Sequence, residues 1–189
     1  MTWKKLWAAI KKALFPAPVN PGDSSPPDNP PDAGAGEYVV ALGKSADRTL
    51  KVPCSLSFTI TGKASGRPDR EEVAVWAVTA GADWQGGNPA PGVFSVRVND
   101  YDASRIKLKS YGTDGVAREP KLNVNWLSAP SHRVTLAIRE GAVQLTVDGV
   151  TTVIGLPTPP LVTICYGDPR TRKLAVGAKL TGIVWEGQA

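Results

Sequence analysis

Residues 133–150 read RVTLAIREGAVQLTVDGV, and this stretch decides the fold. From Val134 to Val147, apolar residues alternate with polar or small ones, which predicts strands that bury one face and expose the other. Glu140-Gly141 interrupts the alternation and Asp148-Gly149 ends it, and both dipeptides are typical of tight hairpin turns. The stretch therefore predicts two antiparallel strands joined by a tight turn, followed by a second turn into a third strand.

The same alternation recurs on both sides of this hairpin, for example at residues 56–60, 94–98 and 106–108. The run Val73–Val78 is apolar at every position, so we expect a central strand there with both faces covered. About ten or eleven such runs follow Glu37, with turn residues between them and no helical period. The pattern predicts an all-β domain at residues 37–189, in which two antiparallel sheets pack as a sandwich.

The hairpin resembles the core hairpin of concanavalin A-like and laminin-G-like domains, where a strand, a tight turn, a strand and an Asp-Gly turn occur in this order. Residues 176–185, VGAKLTGIVW, are similar to the family's closing strand, in which a glycine precedes an alternating apolar run. The resemblance is best over residues 133–185 and only topological over 37–132. It implies a jelly-roll sandwich, which in this family is most often a glycan-binding or protein-binding module and sometimes a glycosidase.

Residues 1–15 carry a different pattern, in which large apolar residues recur at spacings of three and four. The apolar stripe consists of Trp3, Leu6, Trp7, Ile10 and Leu14, and the basic residues mainly off it are Lys4, Lys5, Lys11 and Lys12. This pattern predicts an amphipathic helix that Thr2 caps and Pro16 ends. Because Lys11 and Lys12 interrupt the apolar run early, we expect an anchor helix rather than a secretory signal peptide.

Three roles for this anchor helix stay open. Trp and Lys side chains on opposite faces suit a helix that lies in a membrane interface. The same apolar stripe suits docking onto a larger protein assembly, or self-association into a homo-oligomer. The third role is packing against the chain's own domain, which the segment that follows the helix disfavours.

That segment, residues 16–36, contains seven prolines, three aspartates and almost no large apolar residue. Such a composition buries too little surface to offset the entropy of ordering, and Pro-Pro pairs favour extended polyproline II. At about 3.1 Å per residue, the segment reaches up to roughly 65 Å. We therefore expect a disordered or polyproline II linker that holds the domain away from its anchor.

Composition excludes several kinds of partner and cofactor. The chain has 22 basic and 17 acidic residues, and outside the anchor helix their balance is mild and dispersed, so we expect no nucleic-acid partner. The single histidine and the two cysteines are far apart, and no phosphate-loop motif occurs, so we expect neither a metal nor a cofactor. In its predicted strand, Cys54 lies on the same side as the apolar residues, whereas Cys165 lies on the opposite side from its apolar neighbours. We therefore expect unpaired, partly buried thiols, with one disulfide as the alternative.

Enzyme motifs are missing, and we expect no catalytic activity. Glycosidases of the resembled fold class carry Glu-x-Asp-x-x-Glu or Glu-x-Asp-x-Glu, which sets two carboxylates on one face of a strand, and neither motif occurs. The stretch Asn99–Asp102 predicts a turn rather than a ligand site. His132 begins a strand without a nucleophile motif, so we expect it to be exposed. The alternative for catalysis is a glycosidase with an unrecognised pair of acids.

A loop is the best candidate for a binding site. Sugar sites pair an exposed aromatic ring with hydrogen-bonding side chains, and in the loop 81–92 the ring of Trp84 is flanked by Asp83, Gln85 and Asn88. A second candidate is Tyr101, in the turn predicted at 99–102. The alternative for Trp84 is that it plugs the end of the sandwich. We expect the strand tryptophans to be core or inter-sheet residues, namely Trp76, Trp126 and Trp185.

Together these features suggest a non-enzymatic display protein. An anchor, an extended linker and a lectin-like domain resemble the layout of bacteriophage virion components such as decoration proteins, head fibres and tail adhesins. On this hypothesis residues 1–15 dock onto a virion shell or tail, and residues 37–189 meet glycans or a host surface. The chain would then be made in the host cytoplasm and located in the virion. The alternative is a peripheral membrane protein at the cytoplasmic face that carries a protein-interaction domain.

Overall fold

A computed structural model describes residues 36–39, 46–62, 72–81, 94–100, 106–125, 129–166 and 178–189. These residues hold thirteen β-strands in two antiparallel sheets and no helix. The strands are β1 (Tyr38–Val39), β2 (Ala46–Lys51), β3 (Cys54–Thr61), β4 (Glu72–Thr79), β5 (Ser95–Asp100), β6 (Ile106–Tyr111), β7 (Ala117–Arg118), β8 (Lys121–Leu122), β9 (Ser131–Arg139), β10 (Ala142–Val147), β11 (Val150–Gly155), β12 (Leu161–Tyr166) and β13 (Lys179–Glu186). The predicted all-β class with two antiparallel sheets is confirmed.

One sheet has six strands in the order β1-β13-β3-β9-β10-β11. The turn at Glu140-Gly141 joins β9 to β10 and the turn at Asp148-Gly149 joins β10 to β11, so both predicted hairpins are confirmed. Leu136 of β9 pairs with Leu145 on one side and with Leu56 on the other. β9 therefore lies at the centre of this sheet, and β10 lies second from its edge.

The other sheet has seven strands, in the order β2-β12-β4-β5-β6-β7 with β8 also paired to β6. β4 lies between β12 and β5, which confirms the predicted central strand at Val73–Val78. The turn predicted at Asn99–Asp102 begins too early, because Asn99 and Asp100 still pair with β6. Backbone pairing with a long neighbouring strand extends β5 past the point where the alternation of its side chains stops.

The core lies between the two sheets and consists of the alternate side chains of their strands. Burying a large aliphatic or aromatic side chain contributes about 1.5–3 kcal/mol relative to leaving it exposed, so the core supplies most of the favourable free energy. The largest side chains with essentially no exposure are Phe58, Phe94, Leu56, Ile106, Leu108, Leu136, Ile138, Leu145, Ile164, Leu180 and Tyr166.

The described residues contain more strands than the ten or eleven predicted for the whole domain. The difference comes from β1, β7 and β8, which have two residues each. An alternating pattern needs at least four residues to be recognised, so such short pairings leave no sequence signal.

Both cysteines are unpaired and buried, which confirms the expected free thiols. Cys54 lies on the core side of β3, whereas Cys165 lies on β12 between the core residues Ile164 and Tyr166. The two thiols belong to different sheets. Burial raises the pKa of Cys54 to about 11, so its thiol stays protonated and unreactive near neutral pH.

The predicted anchor, residues 1–15, lies outside the described residues, as does all but the last residue of the predicted linker, 16–36. Both assignments stay predictions. In the part of the chain that the structure describes, no helix is long and apolar enough to cross a membrane.

Candidate functional site

The residues predicted for sugar binding lie outside the described ranges. This holds for Trp84 and its neighbours Asp83, Gln85 and Asn88, and for Tyr101. The site must therefore be sought on the described strands. Two surfaces there carry polar side chains in a defined arrangement, one on the outer side of each sheet.

The first surface, which we call the lysine face, lies on the outer side of the seven-stranded sheet and consists of Ser95, Lys107, Lys109, Tyr111 and Glu119. Ile106 and Leu108 of β6 belong to the core, so the residues that alternate with them face outward. Ser95 of β5 pairs directly with Tyr111, which brings the two strands' side chains into one cross-strand row. The register of β5 and β6 therefore assembles this face.

Glu119 bridges the two lysines of the lysine face. Its carboxylate oxygens lie 3.0 Å from Nζ of Lys107 and 2.5 Å from Nζ of Lys109. Lys107 is only 3% exposed, so its ammonium group requires a counter-charge at this position. Within this bridge, two ammonium groups face one carboxylate.

The pKa values at this bridge follow from its hydrogen bonds. The hydrogen bond from Lys109 lowers the pKa of Glu119. Burial acts against this effect, and the hydrogen bond from Lys107 adds to it. Burial disfavours the charged form of Lys109, but hydrogen bonds with Glu119 and Tyr111 outweigh it and raise its pKa. Glu119 and Lys109 are thus ionised near neutral pH, and their contact is a fixed pair of charges.

Ser95 is the polar group on this face that lacks a partner. Its side chain is 1% exposed, and its hydroxyl oxygen makes no hydrogen bond among the described residues. A buried hydroxyl without a partner costs free energy, and such groups are satisfied by water or by a ligand. Ser95 is therefore an unsatisfied hydroxyl group buried beneath this face.

For Trp76 the structure describes only the backbone pairing in β4. Its expected place as a core or inter-sheet residue stays a prediction. Trp76 pairs with Cys165 on one side and with Arg97 on the other, and Arg97 pairs with Lys109. Sequence reasoning missed this row because the run Val73–Val78 is apolar at every position, so it does not show which of its side chains face the core.

Trp185 follows the prediction for strand tryptophans. It packs against the core, its ring centroid lies 5.8 Å from that of Tyr166, and the guanidinium carbon of Arg48 lies 5.5 Å from its ring. The residues belong to both sheets, so this cluster joins them at one side of the sandwich. Tyr38 also contacts Tyr166, and burial raises the pKa of Tyr38 to about 12. Trp126 lies outside the described residues.

The prediction that His132 is exposed is wrong. His132 is 3% exposed, and its Nδ1 lies 2.5 Å from Oδ2 of Asp148. The other carboxylate oxygen of Asp148 accepts a hydrogen bond from the backbone N–H of Arg133 at 2.8 Å. His132 shares parity with Val134 in β9, and this alternation was the signal that placed it inward.

The second surface is a groove of about 730 Å³ on the outer side of the six-stranded sheet. Its polar lining residues are Ser55, Thr135, Arg139, Glu140, Gln144 and Glu186. Ser55, Ala137 and Gln144 pair in one row across β3, β9 and β10, and the first two are short side chains that form its floor. The hydroxyl of Ser55 donates to Oε2 of Glu186 at 2.9 Å. Sequence reasoning missed the groove because it arises from the pairing of four strands.

Metal binding has no support from the described residues, in which no three His, Cys, Asp or Glu side chains converge.

No protein-family model matches the sequence, and no curated protein matches it either. Similar solved structures include a heptameric SAP-like pentraxin from Limulus polyphemus, with a TM-score of 0.52 and 9% identity over 75% of this chain and 68% of that one. Domains LG4-5 of the mouse laminin α1 chain give 0.51 and 14% identity, covering 85% of this chain and 44% of the laminin chain. The family 7 alginate lyase A1-II' gives 0.50 and 10% identity, over 75% of this chain and 65% of the lyase.

These similarities establish the fold alone, since every identity is low. They confirm the predicted resemblance to laminin-G-like sandwiches at the level of architecture. The chain spans less than half of the laminin structure and about two thirds of the lyase.

The same comparison overturns the expectation that the chain is not an enzyme. The alginate lyase is an enzyme built on this sandwich, so the fold gives no ground for excluding catalysis. The missing two-carboxylate motif concerns glycosidases, and a lyase is a different class of enzyme. The expectation is therefore withdrawn.

Proposed function

We propose that this domain binds carbohydrate through the lysine face. The observation that carries the proposal is the Lys107–Glu119–Lys109 bridge, which fixes ammonium groups and a carboxylate on the same side of β6 as Tyr111. A sugar presents many hydroxyl groups, and sites that bind it combine fixed donors and acceptors with a ring surface. The lysine face offers the ammonium group of Lys109, the carboxylate of Glu119 and the ring of Tyr111.

The charge of this face favours acidic glycans. The ammonium groups of Lys107 and Lys109 both contact Glu119, and Lys121 pairs with Lys107 across β6 and β8. Opposite charges attract by several kcal/mol when they are partly shielded from water, and like charges repel by as much. The ligand class that fits is a polysaccharide carrying uronate or sulfate groups.

Affinity electrophoresis of the whole chain tests this proposal. Retardation is expected in gels that contain a uronate or sulfated polysaccharide and not in gels with a neutral glucan. Lys109→Gln should weaken the retardation by about tenfold in dissociation constant, equal to roughly 1.4 kcal/mol. The matched control is Lys179→Gln, an exposed lysine paired with Glu37 on the other sheet, which should bind as the wild type does. Equal binding by the wild type and Lys109→Gln would contradict the proposal.

A second candidate function is cleavage of a glycan. It is favoured by the two carboxylates, Glu140 and Glu186, that line one groove, because hydrolysis of a glycosidic bond uses two such groups. The test is release of reducing ends from a polysaccharide panel. Activity that survives in both Glu140→Gln and Glu186→Gln would rule out this pair.

We also propose that residues 1–15 attach the domain to a larger assembly, as in a virion component, with the segment 16–36 as a spacer. The support is the apolar stripe beside clustered lysines in the sequence. Co-sedimentation of a fusion carrying residues 1–15 with anionic vesicles separates this role from the alternative of a membrane anchor. Binding to the vesicles would favour the membrane.

The loop around Trp84 is proposed as an additional sugar contact, on its sequence pattern alone. Trp84→Ala should then reduce glycan binding without changing the melting temperature. Unchanged binding would discard this contact.

A further inference from the structure

The groove on the six-stranded sheet is remote from the lysine face, because the two surfaces lie on the outer sides of opposite sheets. Its floor is shaped by small side chains. Ser55 and Ala137 point outward yet are less than a tenth exposed, whereas the walls are formed by longer side chains. A volume of about 730 Å³ lies within the range of about 300–1,000 Å³ that is typical of small-molecule sites.

Hydrogen-bonding groups of both kinds line this groove. Gln144 provides a donor and an acceptor, and Thr135 provides a hydroxyl group. The guanidinium group of Arg139 and the carboxylate of Glu140 make no side-chain hydrogen bond or ion pair with the rest of the described chain. These groups are therefore free to bind a solute.

The lining identifies the class of ligand by exclusion. Two carboxylates against one guanidinium group repel phosphates, sulfates and uronates. The groove crosses the face of the sheet and offers no sheet edge to a peptide strand. A solute dense in neutral hydroxyl groups remains, and the two oxygens of a carboxylate accept hydrogen bonds from adjacent hydroxyls of one sugar ring.

We propose that this groove is a second saccharide site, which selects neutral or amine-bearing oligosaccharides. It goes beyond carbohydrate binding at the lysine face, since it uses other residues and the opposite charge preference, and it names the ligand class for the groove in which glycan cleavage was proposed as the second candidate. A domain with one site on each sheet can link an acidic glycan chain to a neutral or amine-bearing one. The two sites would act independently, because no side chain is shared between them.

Isothermal titration of the full chain tests the proposal, with neutral gluco-, galacto- and manno-oligosaccharides, chitosan oligosaccharides and a uronate oligosaccharide as probes. At least one neutral or amine-bearing probe should bind, and Glu186→Gln and Gln144→Ala should each weaken it about tenfold. The matched control is Thr59→Ala on the outer side of the same strand as Ser55, beyond the groove lining, which should leave the affinity unchanged.

The lysine-face variant separates the two proposals. Lys109→Gln should leave the neutral or amine-bearing probe bound as tightly as before, even if the uronate probe never binds. The inference is overturned if none of the neutral or amine-bearing probes binds, if Thr59→Ala weakens binding as much as Glu186→Gln, or if Lys109→Gln abolishes it. Circular dichroism spectra and melting curves of each variant show that a loss of binding is not a loss of fold.

Discussion

At the scale of single residues, the molecule holds polar side chains at positions where the surrounding structure leaves them little water. Lys107 is almost fully buried and relies on Glu119, and His132 is equally buried and contacts Asp148. Removing one partner of such a pair leaves a desolvated polar group, which costs more than the hydrogen bond itself contributes. These residues therefore couple the arrangement of the candidate site to stability.

Glu119→Gln should lower the free energy of unfolding by about 2 kcal/mol, less than for a fully buried pair because Glu119 is partly exposed. The folded state lowers the pKa of Glu119, so its stabilising contribution is complete above the ordinary pKa of glutamate. The contribution is lost as pH falls through the lower folded-state pKa. Urea denaturation at neutral and at acidic pH measures this. A difference between wild type and variant that does not shrink in acid would contradict the assignment.

Asp148→Ala should lower the free energy of unfolding by about 2–3 kcal/mol, because it removes two hydrogen bonds and places alanine at a positive φ. Asp148→Asn is the matched control. Asparagine tolerates the left-handed conformation and keeps an acceptor for the N–H of Arg133, so it should cost less. Thermal melts of both variants show which one is less stable. An alanine variant as stable as the asparagine variant would contradict the prediction.

At the scale of elements, the residues that follow β13 contact the end of β2 in the other sheet and the start of β3. The carbonyl of Gln188 accepts a hydrogen bond from the N–H of Lys51 at 2.7 Å. Gly187 has a φ of +127°, and a Cβ built there would lie 2.8 Å from the Cβ of Cys54. Only glycine allows this approach, which also forms one end of the groove.

Gly187→Ala should therefore lower the free energy of unfolding by about 2–3 kcal/mol, through a clash with β3 and an unfavourable φ. The matched control is Gly62→Ala. Gly62 also has a positive φ, of +84°, but no atom lies within 4 Å of its built Cβ, so only the conformational cost of about 1 kcal/mol applies. Chemical denaturation of the two variants gives the comparison, and equal losses would contradict the close contact.

At the scale of the whole molecule, the sequence predicts what repeats along a strand and misses what depends on pairing between strands. The alternation from Val134 to Val147 and its two turns were enough to predict the central hairpins. The Lys107–Glu119–Lys109 bridge joins β6 to the residue after β7, and the groove joins four strands. Neither has a local signal, since its members are distant in sequence and become neighbours only through register.

The two sheets thus carry surfaces of different charge on one framework. The lysine face has an excess of cations, and the groove has an excess of carboxylates. A charged surface attracts a ligand of opposite charge over a distance. Added salt weakens this attraction, because the screening length is only about 8–10 Å near physiological ionic strength. Salt dependence therefore discriminates between the two surfaces in a single experiment.

The most direct test of carbohydrate binding at the lysine face is the affinity of the full chain for a uronate oligosaccharide, titrated at low and at physiological salt. The wild type and Lys179→Gln should bind, with an affinity that falls as salt is added. Lys109→Gln should bind about tenfold more weakly at low salt and respond less to added salt. An affinity that is absent in the wild type, or that is identical in Lys109→Gln at both salt concentrations, would contradict the account.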